Sequence, residues 1–237
     1  MGPVLEMTQA RVIGVSILLA IALGGCGNDK KPAAIPIKAI LQAEIQKLKG
    51  TPEAGQSSPA LQPDAVTLAE GRRVLEEAGQ PVIAVTDRSI GLATFMVPLG
   101  TNADVVTWAN PEYQTIALRK GVIIATRGFG QDLMSAEAPT ADVLFAGSGT
   151  YSRKHYILDG ADQTQLQEYT CTLSLSNNEE IVILGLNYLT KKVDENCIGS
   201  AGTFTNTYWF DTKGVIRQSR QSRMIGVENM QLQAIID

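Results

Sequence analysis

The sequence predicts a mainly β protein, an antiparallel meander that forms a barrel, a half-barrel or a two-layer sandwich, with one or two short N-terminal helices. From residue 82 onward, short runs rich in Val, Ile, Thr and aromatic residues alternate with turn residues. The gaps between these runs leave no room for crossover helices, so neighbouring strands should be antiparallel. Ten or more strands in one region also favour a sheet that curls into a barrel or a sandwich.

The N-terminal residues have the features of an export signal. Residues 12–23 carry no charge and follow Arg11. As a helix, this run would reach about 18 Å, which is shorter than the roughly 30 Å hydrocarbon core of a bilayer. Its length is typical of a secretory signal. The alternatives are an uncleaved signal with a free thiol, or a buried amphipathic segment of a cytoplasmic protein.

Residues 23–26, which read Leu-Gly-Gly-Cys, end this run and resemble the cleavage box of bacterial lipoproteins. The resemblance implies cleavage before Cys26 and attachment of acyl chains, such as palmitate, to this cysteine. Two or three acyl chains form a stable membrane anchor. Gly27 follows instead of Asp, which by the same resemblance favours the periplasmic face of the outer membrane. The predicted organisation is a signal peptide at 1–25, a lipid-anchored stalk at 26–66 and a single β-rich periplasmic domain at 67–237.

Two short helices are predicted ahead of the strands. Apolar residues recur at three- and four-residue spacing over 37–48, which is the pattern of an amphipathic helix. This helix would dock on its own domain or, alternatively, face a partner or the lipid surface. Residues 50–63 are rich in Pro, Gly and Ser, as in a flexible linker. Thr67 and Glu70 have capping-box spacing and open a second helix that ends near Ala78.

The strand-like runs that follow are separated by short turns. Asn177 with Asn178, and Asp211 through Gly214, have the composition of hairpin turns. The later runs are longer than the earlier ones. The predicted strands are 82–86, 91–98, 103–109, 113–119, 121–127, 141–147, 151–158, 163–176, 180–192, 202–211, 214–224 and 228–236.

Cysteine usage agrees with an exported protein. The chain has three cysteines, and lipidation of Cys26 would leave the even pair Cys171 and Cys197. Each of these two lies on or beside a predicted strand, and an oxidising periplasm would let them form a disulfide. The alternative is two free thiols, one in the core and one in a loop.

Composition and charge exclude several classes of protein. Twenty Lys and Arg against 24 Asp and Glu leave a net charge of −4, the wrong sign for binding the phosphate backbone of nucleic acids. A hydrophobic share of 44 % is too high for a disordered chain. The single histidine, His155, excludes a metal site built from several histidines of one chain. No metal site and no cofactor are predicted.

No catalytic site is predicted either. Residues 147–149 read Gly-Ser-Gly but lack the flanking pattern of a nucleophile elbow. His155 lies in a strand pattern with alternating exposure. The acidic pairs at 179–180 and 194–195 are interpreted as solvating charges at turns. A pair of carboxylates assembled in space for glycan cleavage is the alternative, because sequence spacing does not reveal such a pair.

Residues 128–130, which read Gly-Phe-Gly, follow a predicted strand. A phosphate-binding glycine loop would need a third glycine where Leu133 stands, and no helix pattern follows. A turn between two strands is therefore the better interpretation. Asp132 is expected to cap this turn with its carboxylate.

Two segments carry a resemblance to a known family. Residues 126–134 read TRGFGQDLM, and a second block runs from Cys197 through FTNTYWFD at 204–211 to 214–221. They resemble the Arg-x-x-Gly…Asp-Leu-Met and Cys…Phe-x-Asn-x-Tyr-Trp-x-Asp…Gly-x-Ile-x-x-Ser-x-Gln patterns of the group 4 capsule polysaccharide lipoproteins, also called YjbF/GfcB-type lipoproteins. Order and spacing agree over most of the chain after residue 80. Ile225 stands near a position where the family tends to carry proline.

Five side chains in or beside these segments are candidate contacts for a glycan or a partner. Tyr208 and Trp209 could stack on a sugar ring, although strand alternation should turn one of them into the core. Arg220 belongs to a series of three arginines, Arg217, Arg220 and Arg223, spaced three residues apart. One of them could contact an acidic glycan or pair with a carboxylate, and a solvated strand face is the simpler interpretation. The other candidates are Gln221 and Arg127.

The resemblance implies a role in producing or exporting exopolysaccharide, without catalysis. The predicted function is that of a lipid-anchored periplasmic accessory protein for exopolysaccharide or capsule production or export. The expected partners are the membrane, through the N-terminal lipid, and envelope proteins of polysaccharide export, with the polysaccharide as a further candidate and nucleic acid excluded. The alternative function is a carrier or chaperone for lipid or lipid-linked glycan, with an apolar cavity inside the barrel.

Overall fold

The computed structural model describes residues 72–158 and 163–237. The predicted signal peptide, Cys26, the amphipathic helix at 37–48 and the linker lie outside the described residues. Within the described ranges, no helix is both long enough and apolar enough to cross a membrane.

The described residues form thirteen strands and little helix. Residues 72–77 are helical (α1), a single 3-10 turn covers Arg88–Ile90, and a second α-helix, α2, spans Ala141–Ala146. The strands are β1 Val82–Asp87, β2 Leu92–Asn102, β3 Val105–Ala109, β4 Thr115–Arg119, β5 Val122–Arg127, β6 Leu133–Glu137, β7 Gly149–Leu158, β8 Thr164–Leu175, β9 Glu179–Ile183, β10 Leu186–Gly199, β11 Gly202–Phe210, β12 Ile216–Gln221 and β13 Met230–Ile236.

All the strand pairs are antiparallel, and twelve strands follow one another in the order β5-β4-β3-β2-β1-β13-β12-β11-β10-β8-β7-β6. The remaining strand, β9, pairs with the first part of β10. The two ends of the series, β5 and β6, lie against each other, so the sheet forms a nearly closed barrel. The predicted fold class is confirmed, and a barrel is the form that it takes.

The structure corrects three local predictions and adds one strand. The predicted strand 141–147 is instead helix α2, Ala141–Ala146, followed by the cap residue Gly147. Thr140 caps the helix start by accepting a hydrogen bond from the Val143 amide. The predicted strand 180–192 is the hairpin of β9 and β10, which turns at Leu184 and Gly185, both at positive φ. Strand β6 was not predicted. The 177–178 turn does not join paired strands, since β8 pairs with β10 and not with β9.

The turn at 211–214 is confirmed as a hairpin. Asp211 Oδ1 accepts hydrogen bonds from the amides of Lys213 (2.8 Å) and Val215 (2.9 Å). The side chain thus satisfies two backbone donors that the turn leaves without strand partners. This turn connects β11 to β12 and fixes the register of the segment that resembles the family pattern.

Strand alternation divides the buried residues between the two faces of the sheet. Tyr208 and Phe210 belong to one apolar cluster, whereas Trp209 between them belongs to another. The inner face of the barrel carries most of the core, including Ile83, Met96, Ile116, Ile123, Leu133, Leu144, Val193 and Leu232. The barrel is therefore filled by side chains over much of its length.

The cluster that contains Trp209 lies on the outer face of the sheet. It is covered by α1 and by the β9–β10 hairpin. Leu75 of α1 packs there with Ile183 of β9 and with Trp209. Arg72, which is only 8 % exposed, donates hydrogen bonds to the carbonyls of Ile235 (2.8 Å) and Ile183 (2.9 Å). These bonds tie α1 to two strands that are far apart in sequence, so the helix is part of the β domain.

Candidate functional site

The centre of the barrel holds a buried ion pair between β7 and β10. Arg153 Nη1 lies 2.9 Å and 3.0 Å from the two carboxylate oxygens of Glu195, and both side chains have no exposed surface. Glu195 was interpreted from sequence as a solvating charge at a turn, and this interpretation is wrong. It lies within β10, and its side chain points to the inner face, where Arg153 arrives from another strand.

Three further side chains donate hydrogen bonds to the Glu195 carboxylate. They are Tyr151 Oη at 2.8 Å, Tyr208 Oη at 2.9 Å and Asn206 Nδ2 at 2.6 Å. Asn206 also accepts a hydrogen bond of 2.7 Å from the amide of Ser222. Burial of a carboxylate is tolerated when its lone pairs are matched by charge and by donors, and this condition is met here.

The electrostatics keep this network in one protonation state at neutral pH. Burial acts to raise the pKa of Glu195, but the Arg153 charge and the donated hydrogen bonds outweigh it and hold the pKa below its usual value. Burial and the Glu195 charge raise the pKa values of Tyr151 and Tyr208. The carboxylate is therefore charged and both phenols are neutral, an arrangement that stabilises structure and offers no free base or nucleophile.

His155 lies beside this network and is neutral. Its Nε2 accepts a hydrogen bond of 3.1 Å from Arg153 Nε, and its ring stacks on Phe204 with centroids 5.4 Å apart. Burial and the nearby Arg153 charge lower the pKa of His155 to about 3. Because Nε2 is the acceptor, the proton of the neutral ring resides on Nδ1. No serine or cysteine nucleophile is paired with this imidazole in the described chain.

Cys171 and Cys197 form a disulfide next to the same network. They are directly opposed on β8 and β10 and are almost fully buried. In the described ranges, their sulfurs and the Glu195 carboxylate form a group of potential metal ligands within 4.8 Å of one another. The disulfide removes both thiolates, and Arg153 neutralises the carboxylate, so the group does not fit a metal ion.

A second buried ion pair lies near the start of β2. Arg223 Nη2 is 3.1 Å from Asp87 Oδ2, and the two side chains are 2 % and 0 % exposed. Arg223 also donates to the carbonyl of Gln131 and lies over the Phe129 ring. Arg223 is one of the three regularly spaced arginines, and the prediction of a solvated face is wrong for it.

The segment at 126–134 contains the predicted turn between two strands, which joins β5 to β6. The Asp132 carboxylate accepts hydrogen bonds from the Gly128 amide (2.7 Å) and from Thr126 Oγ1 (2.9 Å), so the expected capping role is confirmed. Arg127 is exposed, but it donates to the carbonyls of Leu133 and Met134, each at 3.0 Å. These contacts make Arg127 a residue that joins β5 to β6.

The remaining candidate contacts are divided between the two faces of the sheet. Tyr208 and Gln221 have no exposed surface, so their proposed role as glycan or partner contacts is corrected to an internal one. Trp209 is 3 % exposed and donates a 3.0 Å hydrogen bond to Glu179. Arg220 is exposed with its guanidinium 5.5 Å from the Trp209 ring centre, so of these four it alone is accessible to a partner.

A cleft of about 470 Å³ opens at the end of the barrel where β1 and β12 begin. Its lining residues come mainly from β1, β3, β4, β12 and β13, from the turn between β4 and β5 and from the start of α2. Apolar side chains make up most of the surface, including Val106, Trp108, Leu118, Ile216, Leu232 and Ile236. This cleft could not be predicted from the sequence, because its lining comes from strands that only the closed sheet brings together.

Charged residues surround the mouth of this cleft. Lys120 is 3.9 Å from Asp142, with both side chains largely exposed. Arg217 donates a hydrogen bond of 2.8 Å to Asp211 and also binds Asp237. The mouth thus combines an apolar interior with charges at its edge, which is typical of small-molecule sites.

Comparisons with known proteins agree with this architecture. A family model described as "Group 4 capsule polysaccharide lipoprotein gfcB, YjbF" matches residues 62–235. The crystal structure of the hypothetical lipoprotein YmcC from Escherichia coli K12 superposes with a TM-score of 0.63 at 16 % sequence identity, covering 76 % of this chain and 98 % of the other. At this identity the likeness shows the fold. No curated protein matches the chain.

Proposed function

The chain belongs to the group 4 capsule polysaccharide lipoprotein family, and on this basis we propose that it is an accessory protein of exopolysaccharide or capsule production or export that acts by binding rather than by catalysis. Its proposed position is the periplasmic face of the outer membrane, held by acyl chains on Cys26. The residues before Cys26 support this position. A buried disulfide also fits an oxidising compartment.

The observation that carries the binding role is the state of the buried polar groups. Glu195 accepts hydrogen bonds from four side chains and has no exposed surface, so substrate cannot reach it without unfolding of the barrel. The buried His155 is neutral and turned toward Arg153. A general acid or base must reach its substrate within hydrogen-bonding distance, and these groups do not meet that requirement.

The proposed partners are other envelope proteins of polysaccharide export, and the polysaccharide itself. Arg220 and the exposed outer strand faces are the surfaces available to them. The alternative of a carrier that encloses its ligand inside the barrel is less well supported, because apolar side chains and the Glu195–Arg153 pair occupy the inner face. The cleft at one end of the barrel is a different kind of site from such an enclosed cavity.

The experiment that tests this function is a deletion with complementation. Secreted polysaccharide is measured in the parent strain, in the deletion strain, and in deletion strains that carry the wild-type gene or the Cys26→Ser variant. We expect the deletion to lower secretion, the wild type to restore it and Cys26→Ser to fail. Unchanged secretion after deletion, under conditions that induce the polysaccharide, would contradict the proposal.

A second measurement separates binding from catalysis. The purified protein is incubated with the native polysaccharide, and new reducing ends and polymer length are followed over time. Binding alone leaves both unchanged. Accumulation of new ends with wild type would establish glycan cleavage instead.

A further inference from the structure

We propose that the cleft at the barrel mouth binds the single apolar chain of an anionic amphiphile, with the phosphate or other anionic headgroup at Lys120. The biological meaning of this site rests on the proposed function, to which it adds a class of ligand. The cleft volume of about 470 Å³ lies within the range of roughly 300–1,000 Å³ of small-molecule sites.

The walls of the cleft favour a hydrocarbon chain over a sugar. Several of the side chains that line it, such as Val106, Leu118, Leu232 and Ile236, are aliphatic. A sugar brings several hydroxyl groups, and each buried hydroxyl without a partner costs free energy. Apart from the charged residues at the mouth, the polar side chains of the lining are Ser219 and Gln233. Both are already hydrogen-bonded, since the Ser219 hydroxyl accepts from Gln221 and Gln233 donates to Gln218. An alkyl or prenyl chain needs no such partners and gains from leaving water.

The position of Lys120 favours an anionic headgroup. Lys120 and Gly121 form the two-residue turn between β4 and β5, with φ of 47° and 88°. Such a conformation is unfavourable for a residue with a side chain, and here it places the lysine at the edge of the cleft. The lysine is 61 % exposed and 3.9 Å from Asp142. It therefore retains more freedom to bind an anion than Arg217, which is held by both Asp211 and Asp237.

The chain carries two tryptophans, and their positions provide a direct assay. Trp108 lines the cleft, whereas Trp209 lies beneath the β9–β10 hairpin on the outer face. The full lipidated Trp209→Phe protein, held in nanodiscs of unbrominated phosphatidylcholine, is titrated with monoacyl phosphatidylglycerol that is brominated on its acyl chain. We expect saturable quenching of Trp108 emission. The Trp108→Phe protein, which retains only Trp209, should show no saturable quenching.

Two neighbouring residues of β3 supply a matched pair of variants. Val106 lines the cleft, and Val105, which is equally half-buried, does not. In the Trp209→Phe background, Val106→Glu should weaken binding of the probe about tenfold or more, because it places a charge against the hydrocarbon chain. Val105→Glu should change the affinity for the probe by no more than about twofold. Circular dichroism and thermal unfolding establish that both variants are folded. Equal binding by the two variants would overturn the proposal.

The headgroup and the source of the chain are tested by competition. Lys120→Gln should weaken binding of the phosphatidylglycerol probe and should not affect a zwitterionic monoacyl phosphatidylcholine probe. Unbrominated monoacyl phosphatidylglycerol and a prenyl phosphate are then compared as competitors, and the one that displaces the probe at lower concentration identifies the preferred chain. Absence of saturable quenching would overturn the proposal without affecting the secretion experiment, which does not depend on this site.

Discussion

The side-chain carbonyl of Gln221 on β12 accepts a hydrogen bond of 2.8 Å from the backbone amide of Ile123 on β5, a residue 98 positions away in sequence. The same side chain donates to the carbonyl of Gly121, also at 2.8 Å. Five strands separate β5 from β12 along the sheet, so the contact crosses the interior of the barrel. Gln221 thus satisfies backbone groups at an edge of the sheet where strand pairing ends.

Replacement of Gln221 by leucine should therefore lower the free energy of unfolding by about 2–4 kcal/mol, because the buried Ile123 amide and the half-buried Gly121 carbonyl lose their partners. Chemical denaturation measures the loss, and hydrogen exchange should show faster exchange of the Ile123 amide. Gln218→Leu is the control, since Gln218 accepts a 2.7 Å hydrogen bond from Gln233 and reaches no distant strand. Equal losses in the two variants would contradict the role assigned to Gln221.

Loss of the Glu195 charge should be costly as long as Arg153 remains. Glu195→Gln leaves a buried guanidinium without its counter-ion, and we expect the free energy of unfolding to fall by about 3–5 kcal/mol. Arg153→Met should have a similar effect. The double variant should lose less than the sum of the two single variants by at least about 1 kcal/mol. Additive losses in this double-mutant cycle would show that the two groups do not interact.

His155 should make the protein sensitive to mild acid. Its pKa is about 3 in the folded protein against 6.5 for an unperturbed histidine, so the unfolded chain binds more protons between these pH values. Stability is complete above pH 6.5 and falls as pH is lowered, by up to about 1.4 kcal/mol per pH unit. His155→Gln removes this contribution, and its stability curve should be flatter by that amount over the same range. Carboxylates titrate in both proteins, so parallel curves would count against a buried neutral histidine.

The disulfide should contribute a measurable part of the stability. It closes a loop with a sequence separation of 26 residues, for which the chain-entropy model gives about 3.5 kcal/mol. The Cys171→Ala/Cys197→Ala protein should unfold at correspondingly lower denaturant concentration than the oxidised wild type. A reductant should lower the stability of the wild type and leave the double variant unchanged. A response of the double variant to reductant would show that another thiol is involved.

Gly199 is required by close packing between β10 and β8. A Cβ atom at this position would collide with the carbonyl oxygen of Glu168 and with the Tyr169 ring. Gly199→Ala should destabilise the protein by about 1–3 kcal/mol in thermal or chemical unfolding. At Gly100 of β2, nothing beyond the adjacent residues lies within 4 Å of where a methyl group would stand, so Gly100→Ala should be tolerated. Equal tolerance of both substitutions would contradict the packing of β10 on β8.

Local signals were sufficient to predict most strands, the turn at 211–214 and the turn capped by Asp132. The pairing of Cys171 with Cys197 was predicted from the export signal and the even number of cysteines that remain after Cys26. Helix α2 was missed because a short apolar run has the same appearance in a helix and in a strand. The capping residues Thr140 and Gly147 were present in the sequence and would have indicated a helix. Strand β6 was missed because the glycine-rich turn before it obscured its start.

The polar core could not be predicted in the same way. A carboxylate in sequence is normally solvated, and Glu195 is buried only because Arg153, Tyr151 and Asn206 reach it from other strands. That coincidence depends on strand order and register, which no single segment encodes. Alternation did predict that one of Tyr208 and Trp209 would face the interior. Trp209, on the opposite face, is buried by the β9–β10 hairpin. This hairpin was predicted as one continuous strand, so the burial of Trp209 was not foreseen.

The pairing of β1 with β13 determines when folding can finish. Val85 at one end of the domain sequence lies opposite Leu232 near the other, and β13 joins β1 to β12. During synthesis or translocation, one hydrogen-bonding edge of β1 and one of β12 stay unpaired until residues 230–236 emerge. A chain arrested just short of that point would expose two unpaired sheet edges, which are sites for aggregation and proteolysis. Slow delivery of β13 should therefore lower the yield of folded protein.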